Sequence, residues 1–451
     1  MRYTEFEKAK TFFYSHTKSK KYNLDKIIFF MKEMKDFYKE IPVIHVVGTN
    51  GKGSIASTIA SILGNSGYKT GLFTSPHLIN IRERIVVDGH WISEEEFCKV
   101  VSEISNFADE MNQKTGEYPT FFELIYSTAM RYFYKTGVDI AVLEAGLGGR
   151  LDATNISAPI LTVVTKIAYD HPKTLGNTLK KIAFEKADVI RENSHVIVSS
   201  QRKDIFELIS KVAKKRNSSL LYSKNKGKAG DIFFDGKRFY QKGYFDGIGE
   251  VNFSLIGNHQ IENGETVIDV CRTLKKIGYS IDDEAIRNGF RGNQWPGRLE
   301  YISSKHIKKE YCNNIKGIFL DGAHNANGMQ ALSKALKKIG CDKMKVICGV
   351  LGDKGPRKMH KSLKNITEHL YITRPDSPRS IPSVELAEKF RNCGLNVEHY
   401  DDDILAVFLK LKQSLTEPAD ILICGSLYLV GEYKKLLCKK ISEQTWVLRP
   451  E

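Results

Sequence analysis

The residues with the clearest potential for chemistry lie in one glycine-rich segment, GTNGKGS, at residues 48–54. Its glycines give a flexible turn whose backbone N–H groups can point inward, and a lysine and a serine complete it. These are the groups that a phosphate-binding loop requires. In such a loop Lys52 would reach the β- and γ-phosphates of a nucleotide, and Ser54 would meet phosphate or Mg²⁺.

The patterns on either side of this segment indicate what holds it. Residues 43–47, VIHVV, predict a buried strand, and the isoleucines that follow the segment recur at the spacing of a helix. The segment departs from the common pattern, because Val46 occupies the place of its first glycine and Gly53 separates the lysine from the hydroxyl. A β–α turn rich in glycine for steric reasons is the alternative. The strand–turn–helix context favours the phosphate loop.

Two charged residues end or continue apolar patterns further along the chain. Glu144 closes the apolar run 138–143, at the edge where α/β sheets bind ligands. A strand-end charge turned toward solvent is the alternative. Lys186 lies seven residues after Leu179, on the apolar stripe of a helix. It is either a lysine whose amine reaches solvent while its stem packs, or a desolvated amine with a lowered pKa.

Strand and helix patterns alternate along most of the chain, which is typical of α/β proteins. The runs VDIAVLE and ILTVVT are continuous apolar strands of the kind that a parallel sheet buries on both faces. We therefore expect an N-terminal P-loop domain with a doubly wound, mainly parallel sheet, and a smaller C-terminal Rossmann-like α/β domain. A hairpin is expected around residues 235–236. Pro296 and Gly297 mark a junction, so the predicted domains are 1–296 and 297–451.

Length and composition restrict the class of protein. The 451 residues are 41% hydrophobic and 27% charged, and no apolar run approaches the roughly 20 residues that a membrane helix needs. The first residues lack the pattern of a secretory signal, and the eight cysteines lack zinc-site spacing. We expect a cytoplasmic protein with reduced thiols. The net charge of +15 allows anionic partners, but no basic block or basic face with interleaved aromatic residues indicates nucleic acid.

Several motifs, taken together, resemble one family over nearly the whole chain. GTNGKGS resembles the variant phosphate loop of the Mur ligase superfamily, and TSPH (74–77) with RERI (82–85) resembles its folate branch. LEAGLGGRLDATN (143–155) and LDGAHN (320–325) are very similar to the signatures of folylpolyglutamate synthases and dihydrofolate synthases. GNHQ, PGR and CGS follow in the family's order.

The resemblance implies an ATP-dependent ligase that adds L-glutamate to the carboxylate of a folate through an acyl phosphate, with dihydropteroate as a further substrate. It implies an ATP- and folate-binding first domain, a glutamate-ligase second domain, and ATP with two Mg²⁺ ions as cofactors. The expected partners are small molecules only, with no nucleic acid and no membrane, and the expected state is a monomer.

The resemblance also implies roles for particular residues. The cofactor-binding residues are Thr49, Asn50, Gly51, Lys52, Gly53, Ser54, Asn263, Arg298 and Asp321. The metal residues are Ser75, Glu144 and His171, and the substrate residues are Thr120, Phe121, Leu151, Asp152 and Ala153. The catalytic residues are Lys52, His324 and a Lys186 carbamylated by CO₂.

Ordinary structural roles remain open for many of these residues. Arg298 could stabilise a turn, Asp321 could cap a helix, and Phe121 could be core material. The chain has Asp188 where the family usually has glycine, and residues 21–27 stand where the family usually has a GLER-like run.

Three other functions compete with the folate ligase. The first is a cell-wall Mur ligase that joins an amino acid to a UDP-linked substrate, which the GLGGRLDATN stretch disfavours. The second is a basic P-loop ATPase that binds nucleic acid, which the scattered lysines disfavour. The third is a non-catalytic relative, which is disfavoured because all the key polar positions are occupied.

Overall fold

The computed structural model describes residues 3–15, 23–224, 226–352 and 359–440. Two residues of the segment 21–27 therefore lie outside the described residues. The chain forms two units. The first consists of the described residues up to Gly227 together with Glu262–Asn293, and the second consists of Lys228–Ile261 and the described residues from Gln294 onward. The boundary between residues 296 and 297 remains a prediction, and the structure groups the hairpin region with the second unit.

An eight-stranded sheet runs through the first unit in the order β4-β3-β2-β5-β1-β6-β7-β8. Its strands are β1 (Val43–Val47), β2 (Thr70–Phe73), β3 (Ile85–Val87), β4 (His90–Trp91), β5 (Ile140–Glu144), β6 (Pro159–Val164), β7 (His195–Val198) and β8 (Ser219–Tyr222). From β2 to β8 in this order all neighbours are parallel, whereas β3 and β4 are antiparallel. The strands that follow β1 lie on both sides of it, so β1 is the point where the sheet changes its winding direction.

Helices connect these strands. They are α1 (Phe6–Ser15), α2 (Asp25–Glu33), α3 (Lys52–Asn65), α4 (Glu94–Thr115), α5 (Phe121–Thr136), α6 (Pro172–Leu175), α7 (Leu179–Ala187), α8 (Lys203–Lys215), α9 (Asn258–Lys276, in this unit from Glu262) and α10 (Asp283–Gly292). One buried apolar cluster joins α1, α2, α4 and α5 to the sheet, and another joins α7 and α8 to β6 and β7. The predicted doubly wound α/β architecture is confirmed.

The second unit has two sheets. A three-stranded antiparallel sheet contains β9 (Lys228–Phe234), β10 (Phe239–Phe245) and β11 (Gly249–Phe253), and includes the predicted hairpin. A six-stranded sheet has the order β12-β13-β17-β14-β15-β16. Its strands are β12 (Glu300–Ser303), β13 (Ile315–Asp321), β14 (Met344–Cys348), β15 (Thr367–Ile372), β16 (Val397–Tyr400) and β17 (Ala419–Cys424). All its pairs are parallel except β12 with β13.

The helices of the second unit are α11 (Ala326–Ile339), α12 (His360–Lys364), α13 (Ser383–Arg391), α14 (Ile404–Gln413) and α15 (Leu427–Leu437). The apolar faces of α11, α12 and α13 join a buried cluster that includes residues of β13, β14, β15 and β17. This is the smaller α/β domain that the sequence predicts. Within the described residues of the whole chain, none of the helices combines the length and the apolar character needed to cross a bilayer.

Candidate active site

The segments that follow β1, β5 and β6 meet at the carboxyl edge of the first sheet. Val46 of β1 pairs with Glu144 of β5, and Val47 pairs with Val164 of β6. The phosphate-loop segment leaves β1 at Gly48, beside the ends of β5 and β6. This edge, next to the strand where the winding changes, is where open α/β sheets bind ligands.

The loop after β1 is held by the segment that follows β6. The N–H groups of Thr49 and Asn50 both donate to the carbonyl of Lys166, at 3.0 and 3.1 Å. The hydroxyl of Thr49 donates to the carbonyl of Ala168 at 3.1 Å. Since these two amides are engaged inside the protein, phosphate would be bound by the amides of the first turn of α3, which begins at Lys52.

Two glycines of this loop are sterically required. Gly48 has φ +149°, and a Cβ there would lie 1.9 Å from Oγ1 of Thr165. Gly51 has φ +88°, and a Cβ there would lie 2.8 Å from Oδ1 of Asn263. The structure thus brings Asn263, predicted as a nucleotide contact, against the phosphate loop.

The helix that follows the loop is anchored by α10. The amide of Asn293 donates to Oγ of Ser57 and Oγ1 of Thr58, at 3.1 and 2.8 Å. The hydroxyl of Ser61 donates to the carbonyl of Gly289 at 3.0 Å. These bonds hold the middle of α3 in place, so the loop enters a helix whose position is fixed.

Two of the predicted metal residues lie together at the sheet edge. Glu144 is only 5% exposed, and its Oε2 accepts the backbone N–H of Ser75 at 3.1 Å. His171 has φ +47°, and its Nε2 lies 3.6 Å from Oδ2 of Asp170. Among the described residues no three His, Cys, Asp or Glu side chains form a metal-binding cluster. Magnesium that also binds substrate phosphates needs only one or two carboxylates, so Glu144 and Ser75 fit such an ion.

Lys186 joins two of the loops at this edge. Its Nζ donates to the carbonyl of Gly48 at 2.7 Å and to the carbonyl of Gly148 at 3.3 Å. The side chain is buried, with the residue 4% exposed. Burial first, and then the positive charge of Lys52, lower the pKa of Lys186 to about 7. The amine is therefore desolvated rather than turned to solvent.

Asp188, the departure from the family pattern near this lysine, forms an ion pair. Its carboxylate accepts from the guanidinium of Arg216, and Nη1 of Arg216 also donates to the carbonyl of Asp188 at 2.7 Å. The pair fastens the C-terminal end of α7 to the end of α8. The Asp188 charge is thus neutralised locally.

The signature loop after β5 is stabilised from within. Both oxygens of Asp152 accept hydrogen bonds, from the N–H of Leu147 at 2.8 Å and from the N–H and hydroxyl of Thr154 at 3.1 and 2.6 Å. Burial raises the pKa of Asp152. Ala153 is buried and Leu151 is half-buried. The structure gives Asp152 a role in shaping its loop, and its role toward substrate stays a prediction.

Phe121 lies among aromatic and cationic side chains. Thr120 caps α5, because its Oγ1 accepts the N–H of Glu123 at 3.3 Å and Glu123 Oε2 accepts the N–H of Thr120 at 2.6 Å. The ring of the half-buried Phe121 lies 5.3 Å from that of Tyr14 and 5.2 Å from the guanidinium of Arg84. This arrangement offers a flat ligand both an aromatic face and a cation.

The quoted motifs contain His77 and Arg84, but the sequence did not reveal that these two residues form a hydrogen-bonded pair near the ring of Phe121. Nε of Arg84 donates to Nδ1 of His77 at 2.8 Å. Burial first, and then the charge of Arg84, lower the pKa of His77 to about 3. The carboxylate of Glu83 accepts the N–H groups of the loop between them, at residues 78, 79 and 80. Asn80 followed three residues later by Glu83 is a capping signal that could have revealed this loop.

The second unit brings three predicted residues together after β13. Asp321 accepts the N–H groups of Leu299 and Ala323, at 2.7 and 2.8 Å. Burial raises the pKa of Asp321, and the neighbouring Arg298 opposes that shift. Nδ1 of His324 lies 2.8 Å from the carbonyl of Gly322. Arg298, Asp321 and His324 therefore all lie near the carboxyl end of β13.

Comparisons with known proteins agree with this geometry. The middle domain of Mur ligases matches residues 46–271, and the glutamate ligase domain of Mur ligases matches residues 297–427. A protein of Bacillus subtilis named dihydrofolate synthase/folylpolyglutamate synthase is 33% identical over 410 residues, which are 88% of this chain and 91% of that protein. The chain belongs to the dihydrofolate and folylpolyglutamate synthases of the Mur ligase family. The predicted family is confirmed.

Solved structures show the same fold. A Mycobacterium tuberculosis folylpolyglutamate synthase complexed with ADP and AMPPCP has a TM-score of 0.83 and 25% identity, covering 96% of this chain and 98% of that one. A folylpolyglutamate synthase complexed with AMPPCP and folate has a TM-score of 0.81 and 28% identity, covering 96% of this chain and 99% of that one.

Proposed function

We propose that this chain is a folylpolyglutamate synthase, which joins L-glutamate to the carboxylate of a folate at the expense of ATP. The observation that carries the proposal is the position of Lys186, whose amine bonds both the phosphate loop and the signature loop. That contact unites a nucleotide motif and a folate-family motif in one site. The relatives' names supply the substrate class.

The chemistry assigned to the site has two steps. The folate carboxylate attacks the γ-phosphorus of ATP, which gives an acyl phosphate and releases ADP. The amine of L-glutamate then attacks the acyl carbon, a peptide-like bond forms, and phosphate leaves with one oxygen of the original carboxylate. The first step depends mostly on positioning and on charge neutralisation.

In the first unit, we assign the neutralisation of phosphate charge to the phosphate loop and to α3, the helix that follows it. Lys52 and the first-turn amides of α3 bind the γ-phosphate, and Asn263 supports the loop at Gly51. Two Mg²⁺ ions, which neutralise phosphate charge when bound, would be held by Ser75, Glu144 and His171. In the second unit, we assign Arg298 to phosphate, Asp321 to a ribose hydroxyl and His324 to the incoming glutamate.

We propose that Lys186 acts as a carbamate. Its neutral amine would add to CO₂ and release a proton. The product is an anion at a position where the protonated lysine would carry a positive charge. The pKa near 7 makes the neutral amine available at physiological pH. We place the pterin beside Phe121, where Arg84 and Tyr14 line the ring. Thr120, Leu151, Asp152 and Ala153 shape the loops around it.

A second reaction, the conversion of dihydropteroate to dihydrofolate, is favoured by the double name of the Bacillus subtilis relative. The test uses purified protein with ATP, Mg²⁺ and L-glutamate, and offers dihydropteroate, tetrahydrofolate or a UDP-linked cell-wall precursor separately. We expect phosphate release and a product heavier by one glutamyl residue with a folate substrate. Turnover with the UDP-linked compound alone, or ATP hydrolysis stimulated only by nucleic acid, would contradict the proposal.

A further inference from the structure

A buried histidine begins a chain of hydrogen bonds beneath the signature loop. His45 lies in the middle of β1 and is 0% exposed. Its Nε2 lies 2.8 Å from Oγ1 of Thr154, and that hydroxyl lies 2.6 Å from Oδ1 of Asp152. Because Asp152 accepts its other bonds from backbone N–H groups, Thr154 donates to the carboxylate. Its oxygen therefore accepts from His45, which assigns the proton of the ring to Nε2.

The far end of this chain controls the shape of the loop. Oδ2 of Asp152 accepts the N–H of Leu147 at 2.8 Å, and the N–H of Asp152 donates to the carbonyl of Gly149 at 3.0 Å. These two bonds close residues 147–152 into a compact turn. The carbonyl of Gly148, inside that turn, accepts Nζ of Lys186 at 3.3 Å. The amine of Lys186 thus depends on a turn that Asp152 holds.

Packing alone does not account for a histidine at this position. The neighbouring residues of β1 are apolar and fully buried. Nδ1 of His45 has no hydrogen-bond partner in the described part of the chain, and burying an unpaired polar atom costs free energy. An apolar side chain would fill the space without that cost. The bond from Nε2 to Thr154 is the one feature that an apolar residue could not supply.

We propose that His45 is a positioning residue for the ligase reaction. Through Thr154 and Asp152, His45 sets the shape of the turn 147–152. That turn then orients Lys186 toward the phosphate loop. The inference rests on the proposed function, since the reaction it supports is the one proposed there. His45 is fully buried within β1, which suits positioning rather than contact with a substrate.

Matched pairs of variants separate the hydrogen bond from the packing. Thr154→Val removes the hydroxyl with little change of shape, and Thr154→Ser keeps it. His45→Gln can place an amide N–H near the position of Nε2, whereas His45→Asn places its amide near Nδ1 and falls short of Thr154. We expect Thr154→Val and His45→Asn to lower kcat/KM for the folate substrate by about tenfold. Thr154→Ser and His45→Gln should stay close to wild type.

Three readouts test the inference. The dissociation constant for ADP should be the same in all variants, because none of the hydrogen bonds that the variants remove is made to the phosphate loop. The double variant His45→Asn with Thr154→Val should be no worse than either single variant, because both break one chain of bonds. Hydrogen exchange of the segment 147–154 should be faster in Thr154→Val and His45→Asn than in wild type, Thr154→Ser and His45→Gln.

The outcomes are distinguishable. An active wild-type enzyme whose Thr154→Val variant matches it in kinetics and exchange would overturn the inference alone. A Thr154→Ser variant as impaired as Thr154→Val, or additive losses in the double variant, would also overturn it. A wild-type protein inactive with every folate substrate would overturn the proposed function, and the inference with it.

Discussion

Replacing Lys186 by methionine should change how the stability of the protein depends on pH. The lysine is buried, and its pKa lies near 7 in the folded protein against 10.5 for an unburied lysine. Between these values the unfolded chain binds a proton that the folded chain does not. The lysine therefore destabilises the fold most at low pH. This penalty shrinks as the pH rises from about 7 toward 10.5.

The size of the effect follows from the same two pKa values. Between about pH 6 and about pH 9 the unfolded chain keeps its proton while the folded chain loses it near pH 7. At about 1.4 kcal/mol per pKa unit, the contribution of Lys186 to the free energy of unfolding rises by about 2–3 kcal/mol over this interval. The Lys186→Met variant has no amine and lacks this contribution.

The assay is urea unfolding of wild type and Lys186→Met at both pH values, in buffer freed of CO₂ so that no carbamate forms. The difference in unfolding free energy between the variant and wild type should be more favourable to the variant at the lower pH. It should exceed the difference at the higher pH by about 2–3 kcal/mol. Lys180→Met, which replaces an exposed lysine of the same helix, is the control and should behave as wild type. If Lys186→Met follows the pH dependence of wild type, the lysine is not a desolvated amine and its proposed carbamylation loses its basis.

Three further changes test other parts of the site. Lys52→Ala should reduce ATP turnover at least about 100-fold, since the proposed phosphate contact is lost. It should not shift the thermal midpoint, because Lys52 is half-buried and its amine makes a long hydrogen bond of 3.5 Å to the carbonyl of Thr49; normal turnover would remove Lys52 from the site. Gly48→Ala should destabilise the protein by about 2–5 kcal/mol in urea unfolding, since its Cβ would meet Thr165 at 1.9 Å, and wild-type stability would refute the geometry of the loop. Lys186→Ala should be nearly inactive and partly rescued by formate, which replaces the missing anion; wild-type activity would exclude the carbamate.

Local patterns were sufficient to predict β1, β5 and β6 of the first sheet and the position of the loop after β1. The apolar strands β1 (Val43–Val47) and β5 (Ile140–Glu144) are buried on both faces, and such strands carry a strong signal. The helical spacing put Lys186 on an apolar stripe but left open whether its amine reaches solvent, and the structure shows that the residue is buried. By contrast, no apolar run marks β12, which is a short, antiparallel, half-buried strand.

Contacts between distant segments were beyond the sequence. Nothing near Thr49 shows that the carbonyl of Lys166 would engage its amide, since that contact depends on the register of β1 with β6. The bond from Arg84 to His77 likewise depends on how their loop folds back. For Asp152 the family resemblance implied a substrate contact, and the fold shows in addition that both carboxylate oxygens are engaged within the loop. The residue types indicated which side chains could bind phosphate or substrate. The folding of the sheet and its loops determined their hydrogen-bond partners.

The central claim is that the site transfers the γ-phosphoryl group of ATP to a folate carboxylate before glutamate attacks. The most direct test follows a heavy-oxygen label placed in that carboxylate, with ATP, Mg²⁺ and L-glutamate present and the released phosphate analysed by mass spectrometry. The account predicts that each released phosphate carries one oxygen from the carboxylate. Phosphate that carries no label, released while glutamylated product forms, would contradict it.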